Sequence, residues 1–419
     1  MFIDLWSVLL RSHLLKQNET FLFYYFVSYR FFFFTFSYIT ISKNLIFIIY
    51  KVLFLFLQPF FEPGTKIALY TGKEKHKYRK ETNIMNEKPV LGIMLGDAAG
   101  VGPEIIAKVA SDGFLTEQCK PIIIGDLRIF NRALKVIGKD VQLQVIEDAN
   151  EADWTKGIPF LDRKNLDPEC APFGIQSVES GAACLDMLDT GISLYQQGKI
   201  EGFSFAPLNK AAMKEAGCHY ESEHHYMAHL LNHTAPFGEI NVCENVWTTR
   251  TTSHIPINEV SSHLTLESIG RAIRLSDYSL KNAGIEKPSI AVAALNPHAG
   301  ENGTCGREEI DVIKPAIEAA QANGIDAHGP FPSDTLFIKA FNGDFDGVVT
   351  MYHDQGQIAL KLKGFDQGIT IAGGFKPPIV TCGHGTAYDI AGKNIVKTSA
   401  FENAVKMTVR MANATKTKH

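Results

Sequence analysis

FDGVVTMYHDQGQIALK, residues 345–361, sets the reading of this 419-residue chain. An apolar run ends in Tyr352-His353-Asp354, and Lys361 follows eight residues after the histidine. In α/β proteins ligands gather at strand ends, where side chains leave the packed sheet and face an open crevice. Two other apolar runs end in the same way. AVAALNPHAGENG (291–303) brings out His298, and VWTTRTTSHIPI (246–257) brings out His254. A single histidine of this kind is more often structural than functional. Three, each at the end of its own run and one beside Asp354, point instead to a shared divalent metal. Imidazole suits Zn²⁺, Mn²⁺, Co²⁺ or Fe²⁺ better than Ca²⁺, and three protein ligands leave room for a substrate oxygen. Asp354 is placed to orient a ligand or relay a proton.

Size and a 45% hydrophobic composition allow two lobes. The net charge of −4 gives no electrostatic reason to expect nucleic acid or an anionic membrane surface as partner. The seven cysteines (119, 170, 184, 218, 243, 305, 382) include no Cys-x-x-Cys pair. An odd, unpatterned set fits a reducing compartment, so a cytoplasmic protein is expected.

Residues 1–84 are a Phe-rich extension unlike the rest, with the run Phe31-Phe32-Phe33-Phe34. LIFIIYKVLFLFL (45–57) reads as a membrane helix except that Lys51 sits in its middle and it is shorter than the ~20 residues a span needs. For a secretory signal the region is too long and too aromatic. The favoured reading is translation of AT-rich sequence upstream of a start at Met85. In every case folding is expected to begin near Glu87, with no membrane role for the catalytic part.

From Pro89 strand and helix alternate. PVLGIML, PIIIGD, VQLQVI, GFSFAPLNK, SIAVAAL, GVVTMY and GITIAGG read as strands, separated by helical runs such as PEIIAKVASDG, 177–197 and LTLESIGRAIRLSDYSLKNAG. A C-terminal helix is expected from Ala400. Apolar strands alternating with helices imply a mainly parallel, covered sheet. No low-complexity linker divides 88–412, so the lobes are expected to interleave: 88–213 with 365–412, and 214–364 between them.

Gly96-Asp97-Ala98-Ala99-Gly100-Val101-Gly102-Pro103-Glu104 joins a strand to a helix, where glycines permit close backbone approach and helix N–H groups face an anion. It is not Gly-x-Gly-x-x-Gly, because Ile105 stands where the third glycine should be. By itself it is balanced between a ligand loop and an ordinary tight turn. A second glycine-rich loop is Gly383-His384-Gly385-Thr386-Ala387, followed by Asp389. In Ser222-Glu223-His224-His225-Tyr226-Met227-Ala228-His229, Ser222 suits a helix cap. His225, His229 and His233 would share a face, but without the glutamate of His-Glu-x-x-His a second metal site is the weaker reading. A substrate-contacting helix start is the stronger one.

Five blocks together, GDAAGVGPEI, TSHIPI, LNPHAGENG, YHDQG with Lys361, and GHGTAYDIAG, resemble the 4-hydroxythreonine-4-phosphate dehydrogenase family across roughly 89–412. The first and last also look like blocks of isopropylmalate and isocitrate dehydrogenases. The resemblance implies an α/β/α sandwich of that type, two-lobed, with the active site in the interlobe cleft. It implies a cytoplasmic homodimer with a shared site, serving pyridoxine biosynthesis, and NAD (or NADP) bound without a Rossmann motif. It implies a divalent metal (Zn, Mg, Mn or Co) held by His254, His298 and His353, with His353 expected from the partner subunit. Lys361 matches the family's substrate lysine, and His384, Gly385, Thr386 and Asp389 would hold the adenosine end of NAD. Glu223 and His224 fall in the family's Gly-His-Thr-Glu substrate block, where this chain has Ser222-Glu223-His224-His225. The family's substrate asparagine falls on Thr370 and its anion-binding arginine on Ile379, with Lys376 the nearest cation. Lysine cannot reproduce arginine's bidentate grip, so the substrate is expected among 4-phosphooxy-threonine, 4-phosphorylated threonate or erythronate, and cyclic diol carboxylates. The reaction expected is oxidation of a 3-hydroxy acid, with decarboxylation, in which Lys361 and Asp354 assist. An acyl-phosphate transferase of related fold is the rival enzyme. A membrane-anchored binding protein is the rival resting on the N-terminus.

Overall fold

The structure, a computed structural model, describes residues 87–364 and 366–416. The readings of residues 1–84 and of Met85 lie outside them. β1 (Val90–Met94) passes through the Gly96–Gly100 turn into α1 (Gly102–Ser111), with Pro103 in its first turn. β2 (Lys120–Gly125) leads to α2 (Leu127–Ile137), where the Asp126 carboxylate accepts the Arg128 N–H and left-handed Gly138 ends the helix. β3 (Leu143–Ile146), β4 (Ile158–Asp162), α3 (Val178–Gln196, capped by Ser177) and β5 (Gly202–Phe205) follow. Then come α4 (Lys210–Glu215), α5 (Glu223–Leu230), the antiparallel pair β6 (Gly238–Cys243) and β7 (Val246–Arg250), and α6 (Leu266–Asn282). Thr265 and Ser268 form a capping box at the start of α6. β8 (Ser289–Ala293), α7 (Lys314–Ala322), β9 (Asp326–Phe331), α8 (Ser333–Phe341), β10 (Gly347–Thr350) and α9 (His353–Gly364) continue the alternation. β11 (Ile369–Gly373), β12 (Ile379–Cys382) and α10 (Ser399–Lys416) complete it.

Twelve strands form one sheet in the order β3-β4-β2-β1-β5-β12-β11-β6-β7-β10-β8-β9. Eight pairings are parallel; β11·β12, β11·β6 and β6·β7 are antiparallel. The sheet is therefore mainly parallel as expected, but a central antiparallel segment reverses strand polarity between its two parallel blocks. Three of its four strands arise from short runs, GEINVC, VWTTR and IVTC, whose pairing partners lie far away or across a two-residue turn.

Two large hydrophobic cores lie along this sheet. One gathers Leu91, Ile105, Phe130, Phe160, Leu188 and Phe203; the other gathers Ile240, Trp247, Ile273, Val292, Ile317 and Val349. The last helix serves both, with Phe401 and Val405 in the first core and Ala404 and Met411 in the second. Its neighbouring faces tie the end of the chain to both halves of the sheet. Among the described residues no helix is long and apolar enough to cross a membrane.

Candidate active site

β7, β10 and β8 are parallel neighbours, so whatever follows their C-terminal ends leaves the sheet at one edge. His254 lies four residues past β7, His298 five past β8 and His353 three past β10. The rings of His254 and His353 stand 5.5 Å apart, centroid to centroid, inclined by 42°. His353 Nδ1 is 2.7 Å from an Asp354 carboxylate oxygen. An ionised carboxylate only accepts, so Nδ1 carries the proton and Nε2 keeps its lone pair for a cation. His298 does not join them: among the described residues no three His, Cys, Asp or Glu side chains are grouped to hold a metal.

His298 opens a left-handed turn in which φ is +55°, +55°, +77°, +42° and +55° from His298 to Asn302. Non-glycine residues pay roughly 1–2 kcal/mol each for this backbone. Buried Glu309 holds the base of the turn, its Oε1 accepting from Leu295 N and Asn296 N at 2.8 and 2.7 Å and its Oε2 from Asn296 Nδ2 at 2.9 Å. A turn kept so far from ordinary geometry fixes the point at which the exposed His298 side chain leaves the backbone.

A cavity of about 570 Å³ opens beside His254, between the start of α5 and the end of β7; Lys210, Ser222, His224, Glu239 and Arg250 also line it. Ser222 caps α5 as expected, accepting from His225 N. Lys210 Nζ is 3.3 Å from Glu223 Oε2, outside hydrogen-bond geometry, and His224 Nδ1 is 3.6 Å from Glu223 Oε1. Burial holds the His224 pKa below its ordinary 6.5, so this ring is neutral at pH 7 and charges only in acid. Burial pushes the Glu239 carboxyl up, but Arg250, a hydrogen bond from Asn241, His224 and Lys210 outweigh it, and the net pKa lies below 4.5.

Both shifts make acid costly. The unfolded chain takes up protons at the ordinary pKa values while the folded chain resists, so stability is full above about pH 6.5 and declines below it. A second decline is expected below pH 4.5, as Glu239 is forced to protonate. A thermal-shift series across this range is the check. His224→Gln should remove the first decline; a melting temperature flat from pH 7 to 5 in the parent protein would contradict the assignment.

Two expected features are corrected. α5 ends at Leu230, so His233 is off the helix, packed edge-on against Phe237 and Phe375, while His229 stacks on Tyr220. The row His225, His229, His233 is not one helical face. The run containing His254 is strand only as far as Arg250; the histidine itself is on the following loop. Lys361 is exposed on α9 and borders a separate cavity of about 30 Å³ with Asn241 and Gln357, not the large one. Thr370 is buried and receives a hydrogen bond from its cross-strand partner, Asn241 Nδ2, at 3.1 Å. Ile379 is fully buried, and Lys376 is exposed.

The two glycine-rich loops meet. Val101 N donates to the Thr386 carbonyl at 3.0 Å, and a Cβ at Gly100 would lie 2.7 Å from that oxygen, so only glycine fits. Asp97, wholly buried, accepts from Ala99 N (2.9 Å), Ser180 Oγ (2.5 Å) and Tyr388 OH (2.5 Å). Asn209 Nδ2 donates to Tyr388 OH at 2.7 Å, and its Oδ1 caps α4, the helix that carries Lys210. Glu104 accepts from Gly392 N and from Asn394 N. The loop holding His384, Gly385, Thr386 and Asp389 is thus tied down by acids of the first block and linked through Asn209 to the cavity wall. Sequence reasoning assigned no role to Asp97, Tyr388, Asn209, Glu239, Asn241 or Arg250; Asp97, Tyr388 and Arg250 lie inside stretches already singled out, whereas Asn209, Glu239 and Asn241 carried no local signal.

The chain is an oxidoreductase of the dehydrogenase class, as the names of its relatives show. The chain belongs to the PdxA family, described as pyridoxal phosphate biosynthetic protein PdxA, whose profile matches residues 117–408. A curated relative from Rhizobium meliloti (strain 1021), named "Putative 4-hydroxythreonine-4-phosphate dehydrogenase 2", is 42% identical over 326 residues, 78% of this chain and 94% of the relative. The D-threonate 4-phosphate dehydrogenase of Cupriavidus necator (strain H16) is 37% identical over 325 residues, covering 77% and 97%. The crystal structure of 4-hydroxythreonine-4-phosphate dehydrogenase from Klebsiella pneumoniae superposes with a TM-score of 0.71 at 32% identity, covering 78% of this chain and 99% of that one.

Proposed function

We propose that this chain oxidises the 3-hydroxyl of a phosphorylated four-carbon hydroxy acid, with loss of carbon dioxide, using NAD and a divalent metal in a homodimer with shared active sites. The relatives' names, one for 4-hydroxythreonine-4-phosphate and one for D-threonate 4-phosphate, support this substrate class. The observation that carries the reading is the His254–His353 pair, 5.5 Å apart, with Asp354 at Nδ1 of the His353 ring.

Two imidazoles at this spacing fit part of a three-nitrogen metal site. Because His353 already stands beside His254 within one chain, the ligand left for a second copy to bring is His298, not His353. Ile358 and Leu362, one turn apart on the helix that begins with His353, are 58% and 84% exposed, apolar surface that a second copy would cover. When bound, the cation would stabilise alkoxide charge on the substrate and NAD would accept hydride. The protein's own part is positional. Asp354 keeps His353 in the ligating tautomer, neutral His224 and the Glu223–Lys210 pair shape the cavity, and Lys361 offers a cation to phosphate or carboxylate. Thr370 acts at one remove, holding the Asn241 amide that positions Arg250. The loop of His384, Gly385, Thr386 and Asp389 would receive adenosine of NAD or, less favoured, NADP. The setting proposed is cytoplasmic and the role pyridoxine biosynthesis or a parallel sugar-acid route; Zn, Mg, Mn and Co are the metals to assay.

The test is NADH formation by purified protein, with and without chelator, against 4-phosphooxy-threonine, D-threonate 4-phosphate and erythronate 4-phosphate, their unphosphorylated forms, and a cyclic diol carboxylate. Metal-dependent turnover confined to phosphorylated acids is expected. Turnover of the diol carboxylate alone, or no metal dependence, would overturn the reading.

A further inference from the structure

We propose that Arg250 is the specificity-determining anchor for the substrate's anionic group, carboxylate or phosphate, in the cavity beside His254; the proposal rests on the dehydrogenase reading above. Arg250 ends β7 and lines that cavity four residues before His254. Three partners fix its guanidinium: Glu239 Oε2 at 2.5 Å, Asn241 Oδ1 at 2.8 Å and Ser253 Oγ at 3.1 Å. Of a guanidinium's five N–H groups, these engage three, and two have no partner among the described residues. The side chain is only 9% exposed, so its remaining donors act in a partly dried site, where a charge-assisted bond is strong.

The network behind it is built to hold that plane. Asn241 Oδ1 also accepts from Gln357 Nε2 at 2.5 Å, while its Nδ2 donates to Glu239 Oε1 and Thr370 Oγ1 at 3.0 and 3.1 Å. Every polar atom of the Asn241 amide is committed to positioning its neighbours. A fork pre-oriented in this way loses little entropy on closing over a carboxylate or phosphate. The other basic residues near the cavity are less fixed: Lys210 lies against Glu223, and Arg271 is exposed on α6. Position 379 is a buried isoleucine and offers no charge.

The competing account is that Arg250 and Glu239 merely brace β6 against β7. Arg250→Met alone leaves Glu239 half-buried without its cation partner, so it is compared with the double variant Arg250→Met/Glu239→Gln, which removes that charge. Dissociation constants for D-threonate 4-phosphate, 4-phosphooxy-threonine and D-threonate are read by calorimetry, with KM from NADH formation and melting temperature alongside. Affinity for the phosphorylated acids is expected to fall about 10- to 100-fold in both variants, while the double variant recovers melting temperature. If phosphate is the group held, the preference for D-threonate 4-phosphate over D-threonate collapses; if carboxylate, both ligands weaken alike. Recovery of affinity together with melting temperature in the double variant, or wild-type affinity in Arg250→Met, would overturn the anchor while leaving the dehydrogenase intact. A parent protein that binds and oxidises none of these acids would remove both proposals.

Discussion

Replacing His298 with alanine is expected to lower turnover by roughly a thousandfold or more, since a metal's several kcal/mol of charge stabilisation translate into at least that factor. The side chain is exposed and makes no hydrogen bond among the described residues, so the melting temperature of metal-free protein should move little. His298 sits at φ +55°, where alanine is no more comfortable than histidine. Asparagine tolerates left-handed backbone better, so His298→Asn separates loss of the ligand from disturbance of the turn. Bound metal, measured by elemental analysis of dialysed protein, should fall with activity in both variants. Activity retained in a metal-stripped His298→Ala protein would refute the role.

The largest expected effect on stability comes from Asp97→Ala. That change strands three donors in a fully buried site: Ala99 N, Ser180 Oγ and Tyr388 OH. An unsatisfied buried donor costs about 1–3 kcal/mol, and with partial relaxation a total of about 3–5 kcal/mol is expected. Denaturant unfolding followed by circular dichroism is the measurement. Tyr388→Phe removes two hydrogen bonds, the one to Asp97 and the one from Asn209, and should cost about 1–2 kcal/mol, with its clearer signature a weakened NAD affinity because Tyr388 lies on the proposed cofactor loop. An Asp97→Ala protein as stable as the parent would mean that the two glycine-rich loops are not held together by this carboxylate.

Much of this architecture is legible before folding. β1, β2, β8 and β10 are short, apolar and bounded by turn residues, so their burial shows in composition alone. The placement of the histidines is legible for the same reason: each follows a strand-like run, and parallel neighbours release their ends at one edge, where His254 and His353 meet while His298 stands apart. What escapes is whatever depends on partners distant in the chain. β6 and β12 carry polar residues such as Asn241 and Thr381, and only pairing across the sheet makes them strands. Arg250 reads as a strand residue among threonines; its meaning arises from Glu239 and Asn241 on the antiparallel neighbour. Helix α9 hides because Gly356 and the unbroken series His353, Asp354, Gln355 look like a loop after a strand. Which copy of the chain contributes which histidine is a matter of assembly, which motif order does not reveal.

The claim on which the rest depends is a site built from His254 and His353 of one copy and His298 of another. Mixing inactive His298→Ala and His353→Ala proteins, after dissociation and reassembly, tests it directly. Half of the random dimers are then mixed, and each mixed dimer holds one intact site, so activity should return to about a quarter of the parent value. Mixing His254→Ala with His353→Ala should restore nothing, because both ligands belong to the same copy. Activity in the second mixture, or none in the first, would contradict the account.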